Sequence, residues 1–311
     1  MSTKNKPSIT LSINPTYFCN FDCNFCYLTK EELSDRKTIS LSTLRERIAE
    51  IEKFFNIDCV DLYGGEIALL EESYLNQIAD LFDLESVDFN AITNLSKVNP
   101  FFKRKDISLS VSWEGNVRRK SQEVLKNMED IGRDINLLML AGVEVVNWSL
   151  NEIKSVFSNI SRLENIKSLE IKPYSFNQAN HYKIKFSEYE DFVKKVFEID
   201  KDYIFVNEEN LKGVSSGITN SFSDDHIYIT PDGSLAVLDF DELDRELFLK
   251  IDKIEEYIEW SNNEKLKVGG NSFCNDCEYL GRCLSEHLRV VTSREDSCNG
   301  FYNLIKWHER L

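Results

Sequence analysis

The sequence predicts an α/β protein: an open, partial (β/α)6 TIM-like barrel followed by a small α+β unit. Three observations carry this. Six strand-like runs are separated by helical patterns, polar, glycine and cysteine residues recur where strands would end, and the pattern changes character past Pro173.

Residues 8–13, SITLSI, read as a first strand that delivers a cysteine-bearing loop at its C-terminal end. Residues 42–55 follow a helical period with Leu44, Ile48, Ile51 and Phe55 on one face. A second strand over 57–63 runs into Gly64, Gly65 and Glu66. The alternation continues as helix 74–82, strand 87–92, strand 107–112, a helix from 117, strand 143–149, helix 153–163 and strand 168–174. Strands joined through helices pair in parallel with right-handed crossovers. Six such units fall short of the eight that close a barrel, so the barrel is expected to stay open. Ligands of such folds sit at the C-terminal strand ends. The cysteine loop, the Gly-Gly-Glu turn, Thr93-Asn94 and Ser112 all fall there.

Beyond Pro173, residues 175–186 are polar and read as loop, after which Ser187 and Glu190 form a capping-box pattern opening a helix to 199. A Gly and Ser cluster at 213–223 precedes a hairpin, HIYIT-PDG-SLAVLDF, whose Pro-Asp-Gly turn favours chain reversal. A helix over 251–260 then leads to a second group of cysteines. Two units are expected, 1–222 and 223–311.

A chain of 311 residues, 42% hydrophobic, is long enough for a full core. Its 37 Lys and Arg against 53 Asp and Glu give a net charge of -16, which repels phosphate backbones and argues against nucleic acid as partner. The N-terminus lacks an apolar signal region, and the most apolar stretch, 137–146, is too short to span a bilayer and contains Glu144. No membrane partner is expected, and a cytoplasmic location is. In a reducing compartment the eight cysteines read as ligands rather than disulfides.

Cys19, Cys23 and Cys26 stand at the spacing CxxxCxxC. Three thiolates suit a soft metal centre but leave one position of a four-ligand site open, where a cofactor can be held. The spacing also suits half of a zinc knuckle completed elsewhere. Cys274, Cys277, Cys283 and Cys298 run as CxxC, five residues, Cys, fourteen residues, Cys. Four thiolates close a site, whether iron-sulfur or structural zinc. Cys59 is left over in an apolar run and reads as a buried structural thiol.

The run CNFDCNFCY, with Phe25 directly before the third cysteine, resembles the cluster loop of the radical S-adenosylmethionine (SAM) enzymes. The resemblance implies a [4Fe-4S] cluster on Cys19, Cys23 and Cys26, with the amino and carboxylate groups of SAM on the fourth iron. Electron transfer then cleaves SAM to methionine and a 5'-deoxyadenosyl radical that abstracts hydrogen from the substrate. Gly64-Gly65-Glu66 is similar to the family's turn that binds the methionine amino group, with Ile67 in place of the usual proline. Thr93-Asn94 resembles its TN segment, and Ser112 resembles the serine near the SAM carboxylate in SxDG, with Trp113 and Glu114 differing in side chain but not in pattern. Phe25 and Tyr27 are implied to flank adenine. Each position also has an ordinary reading, as a βα turn, a strand-end cap or a core aromatic.

The run FCNDCEYLGRCLSEH with Cys298 resembles the C-terminal SPASM domain, or its shorter twitch form, which binds an auxiliary [4Fe-4S] cluster in these enzymes. Where a full SPASM domain has further cysteines, this chain has His287 and Leu238, so a single auxiliary cluster is implied. Asp239 lies where sulfatase-maturing relatives carry a substrate base; the alternative is a hairpin-end carboxylate beside Asp241, Glu242 and Asp244.

A closed auxiliary cluster would accept or relay an electron, implying an oxidoreductase that oxidises or crosslinks its substrate. The substrate is either a peptide, as for ribosomal peptide maturases, or an alcohol, as for the aminocyclitol dehydrogenases with a twitch domain. A non-catalytic, zinc-stabilised binding protein is the reading from another class. The family implies an external electron donor such as flavodoxin or ferredoxin. For a peptide it also implies a separate leader-recognition protein, since the first cluster cysteine is residue 19 and no fused leader-binding domain is expected. Residues 177–185 and 239–246 are the candidates for substrate contact.

Overall fold

In the computed structural model, which describes residues 6–180, 182–222, 224–285 and 291–311, the alternation becomes a parallel run of strands. These are β1 (Ser8–Ile13), β2 (Asn56–Leu62), β3 (Asp88–Thr93), β4 (Ser108–Ser112), β5 (Ile135–Ala141), β6 (Ile166–Pro173) and the two-residue β7 (Ile204–Phe205). The hairpin supplies β8 (His226–Ile229) and β9 (Leu235–Phe240), and β10 (Glu246–Ile251) extends it. One sheet holds them all in the order β10-β9-β8-β1-β2-β3-β4-β5-β6-β7. Because β8 pairs in parallel with β1, a single sheet runs through both units expected from the sequence.

The helices cover one face of the parallel run for the reason their periodicity suggests. Leu44, Ile48 and Ile51 are buried on the helix Leu41–Ile51, which Ser40 caps by accepting from the Thr43 N–H at 3.1 Å. Each such fully buried aliphatic side chain contributes about 2 kcal/mol relative to exposure. Along the opposite, concave face, side-chain hydrogen bonds stitch neighbouring strands. Asn90 donates to Asp61 at 3.0 Å, Ser110 to Asn90 at 2.9 Å, and Ser168 to Asn136 at 2.8 Å.

The strand expected over 143–149 is corrected: β5 occupies Ile135–Ala141, and Val143–Val146 is a short helix. The β-branched valines suggested the wrong half of the apolar stretch. Ile135, Leu137, Met139 and Ala141 alternate as buried residues between β4 and β6, and Gly142 ends the strand. Tertiary pairing here outweighs local propensity. The third antiparallel strand, β10, was also absent from the sequence reading. Its residues alternate too weakly to be seen without their partner, β9.

The helix expected from Ser187 spans Phe186–Phe197, and its cap is different. Glu188 accepts from the Lys185 N–H at 2.9 Å, while Ser187 donates to Asp296 at 3.1 Å and Glu190 accepts from the Leu304 N–H at 3.2 Å. Glu190 therefore fastens the C-terminal helix Tyr302–His308 rather than capping its own. Burial pushes the Glu190 carboxyl up to about 7. The folded chain thus holds a proton that the unfolded chain, with an ordinary value of 4.5, releases. Stability from this group is fully present below the unfolded value and falls as pH rises through about 7. Glu190→Gln keeps an acceptor for Leu304 without the charge. Its melting temperature relative to wild type is expected to climb between pH 4.5 and about 7 and to level off above that, under anaerobic conditions. A constant difference would contradict this assignment.

Candidate cofactor site and substrate cavity

The loop after β1 carries Cys19, Cys23 and Cys26, all half-buried. Its shape is held by backbone contacts: the Cys26 N–H donates to the Cys23 carbonyl at 3.1 Å, and the Cys19 N–H to the Leu33 carbonyl at 3.1 Å. The Cys19 sulfur accepts from the Phe21 N–H at 3.4 Å and the Cys26 sulfur from the Leu28 N–H at 3.4 Å. Burial pushes the Cys19 thiol up to about 11 and the Cys23 thiol up to about 12, and it raises Cys26 as well. The three also oppose one another's ionisation, which places them close together. Such thiols ionise when a metal centre displaces their protons.

The Gly64-Gly65 turn approaches this loop rather than open space. The Gly65 N–H donates to the Thr16 carbonyl and the Glu66 N–H to the Phe18 carbonyl, both at 2.9 Å. A Cβ at Gly65 would collide with the carbonyl oxygens of Tyr17 and Phe18, and one at Gly64 with that of Thr16. Glu66 is buried, with its carboxylate engaged inside the protein. One oxygen accepts from the Ala68 N–H at 2.8 Å and the Thr93 hydroxyl at 2.5 Å, the other from the Asn94 N–H at 2.7 Å. Burial raises its pKa, and these three donors work against that rise.

Asn94 carries the brace onward, its amide donating to Asn20 at 3.2 Å and reaching the Cys19 sulfur at 3.9 Å. Thus Glu66, Thr93 and Asn94 lock the ends of β2 and β3 to the cysteine loop. Ser112 ends β4, where its carbonyl accepts from Arg118 at 2.8 Å. Arg118 was not singled out from the sequence, nor was its ion pair with Glu114 at 2.5 Å; nothing in residue spacing marks it.

Two cavities meet at Phe25 and Leu140. The smaller, about 100 Å³, is bounded by Asn24, Phe25, Val117, Gly142, Val143 and Tyr174. The larger, about 230 Å³, runs from Phe25 and Tyr27 past Glu170, Lys172 and Tyr174 to Leu284, Asn299 and Phe301. Tyr27 packs edge-on against Phe248 at 5.3 Å, and its buried hydroxyl has no hydrogen-bond partner among the described residues. Both segments named for substrate contact reach the larger cavity, through Asn177 from one and Phe240 and Glu246 from the other. Asn177 also bridges to Glu246 through the backbone. Asp239 is not brought to the cavity. Its neighbours Leu238 and Phe240 line the wall, while its own carboxylate accepts from the Trp260 indole at 3.2 Å.

Cys274, Cys277, Cys283 and Cys298 surround one further cavity, with Tyr279, Arg294 and Tyr302 in its wall. Burial pushes the Cys274 thiol up to about 11 and raises Cys283 and Cys298. Gly300 leaves the space these sulfurs need: a Cβ there would lie 2.8 Å from the Cys283 sulfur and 3.8 Å from that of Cys298. Among the described residues no group of three or more His, Cys, Asp or Glu side chains closes on a single metal ion. The four thiols line one cavity together, and the other three oppose the ionisation of Cys274. His287, weighed as a substitute ligand, lies outside the described residues. No described helix is long and apolar enough to cross a membrane.

An open, largely parallel sheet with a cysteine loop at its C-terminal rim and a thiol quartet beyond it is a partial-barrel fold. Solved structures share it. The chain is similar to anSMEcpe with bound AdoMet, at 16% identity and a TM-score of 0.69 over 98% of this chain and 96% of that one. It is similar also to Streptococcus suis SuiB bound to S-adenosylmethionine, at 14% identity and a TM-score of 0.64 over 89% of this chain and 72% of that one. SuiB bound to its precursor peptide SuiA matches at 15% identity and a TM-score of 0.59, over 89% of this chain and 71% of that one. No protein-family model matches the chain, and no curated protein sequence does.

Proposed function

We propose that this chain is a radical SAM enzyme that oxidises or crosslinks a peptide. One observation carries the reading: the larger cavity joins the aromatic rim of the three-cysteine loop, at Phe25 and Tyr27, to Leu284, Asn299 and Phe301, which neighbour Cys283 and Cys298. When bound, SAM on the first cluster would supply a hydrogen-abstracting radical, and as the substrate radical lost a proton to solvent the second cluster would take up the remaining electron. The chain's own residues then divide the work. Cys19, Cys23 and Cys26 hold the first cluster, and Cys274, Cys277, Cys283 and Cys298 the second. Gly64, Gly65, Glu66, Thr93 and Asn94 fix the loop against which SAM rests, with Ser112 at the neighbouring strand end. In the smaller cavity, walled by Phe25, Val117 and Val143, the flat faces of a base such as adenine would meet apolar side chains.

A peptide is favoured because one cavity wall is made of extended backbone. Glu246 at the start of β10 already pairs with Phe176 and Gln178, its N–H donating to the Phe176 carbonyl at 2.8 Å. The relatives SuiB, with precursor peptide SuiA, and anSMEcpe, with a Cp18Cys peptide, support the same choice. Electron delivery falls to a separate protein in this reading, with flavodoxin or ferredoxin as donor. Asp239 is not assigned the role of base, since its carboxylate is turned to Trp260.

The test is anaerobic incubation with SAM, dithionite and two substrate sets. These are short Cys-rich or aromatic-rich peptides encoded beside the gene, and aminocyclitols. The expected result is 5'-deoxyadenosine formation with a peptide product lighter by the mass of molecular hydrogen. Oxidation of an aminocyclitol with every peptide left unchanged would overturn the peptide assignment.

A further inference from the structure

Resting on the cluster reading above, we propose that Arg118 is a tuning residue. Its fixed, buried guanidinium raises the reduction potential of the cluster held by Cys19, Cys23 and Cys26. The Arg118 side chain is only 8% exposed, and that of its partner Glu114 2%. Burying such a pair costs several kcal/mol in desolvation, and apolar residues of similar size often fill such a place equally well or better. Packing alone therefore gives no reason for a charged pair at this strand end.

The arrangement is directional. Glu114 holds the Arg118 Nε at 2.5 Å, the Ser112 carbonyl takes Nη1 at 2.8 Å, and the guanidinium carbon lies 5.4 Å from the Phe25 ring centroid. Phe25 stands between Cys23 and Cys26 in the chain, so the positive end of the pair faces the cysteine loop.

An arginine does not lose its proton in a protein, so this charge persists at any working pH. Reducing a cluster adds one negative charge, and a nearby cation stabilises the reduced form more than the oxidised one. Net charge and burial around a cluster are among the terms that set its potential. Glu114, acidic like the aspartate of the SxDG segment it resembles, is the clamp on Arg118.

The experiment is a redox titration of the reconstituted, anaerobic protein followed by electron paramagnetic resonance. It tracks the reduced-cluster signal that changes shape when SAM is added, because that change marks the cluster with the open iron. Arg118→Gln is expected to lower the midpoint potential, and Arg118→Lys, which keeps the charge, to stay nearer wild type. The double variant Arg118→Gln with Glu114→Gln leaves no orphaned charge, so it decides the matter if the single variant does not fold. It too should titrate lower. Wild-type potentials in both glutamine variants, or a lysine variant as low as glutamine, would overturn the proposal for Arg118 alone. A wild-type protein with no SAM-responsive signal would overturn the proposed function and this inference with it.

Discussion

Replacing Cys19, Cys23 and Cys26 together by alanine is expected to reduce 5'-deoxyadenosine formation to background. Iron content should fall to about four atoms per chain, the complement of one remaining [4Fe-4S] cluster. The two effects arise from separate places. The three thiols sit in the loop after β1, while the quartet surrounds its own cavity with Gly300 in the wall. No described hydrogen bond to a side chain links the two groups of sulfurs, so the quartet should load independently. Iron and sulfide analysis beside a SAM-cleavage assay checks both halves. Retained cleavage in the triple variant would remove the basis for the assignment.

Gly65→Ala should be nearly as damaging although residue 65 is no ligand. The added methyl would collide with the carbonyl oxygens of Tyr17 and Phe18, immediately before Cys19. Relief requires the turn to withdraw, which breaks the 2.9 Å bonds from Gly65 to Thr16 and from Glu66 to Phe18. Overpacking of this kind costs on the order of 3 kcal/mol. The displacement would be felt at Cys19, because Glu66, Thr93 and Asn94 hold the same loop. The expected phenotype is a folded chain that loads less iron at the N-terminal site, with a lowered melting temperature. Circular dichroism and iron analysis read the two separately. A variant with wild-type iron and stability would show that the turn has room the structure does not give it.

How much of this was legible beforehand depends on the range of the physics involved. Cysteine ligand spacing is local, so the groups of three and four could be read from the chain; the structure carries the first three on one loop and lines one cavity with the other four. Helix faces such as Leu44, Ile48 and Ile51 are local as well. The Gly64-Gly65 turn was read as bringing the backbone close to a ligand, whereas the atoms a side chain there would meet belong to the cysteine loop itself. Glu66 was marked for its charge, whereas its hydrogen bonds to Thr93 and Asn94 depend on β2 lying beside β3. The misplaced fifth strand and the missing β10 have the same origin, since pairing partners rather than propensity fix them. Arg118 was invisible because one arginine among 37 basic residues carries no spacing signal. Only burial against Glu114 and Phe25 distinguishes it.

The central claim is that iron in the N-terminal loop keeps a coordination position that SAM can fill. Its most direct test is elemental analysis of the anaerobically prepared wild-type protein, joined to resonance spectra of the reduced protein with and without SAM. The account predicts about eight iron and about eight sulfide per chain, with one of two cluster signals altered by SAM. Zinc with no acid-labile sulfide, or two cluster signals both indifferent to SAM, would contradict it.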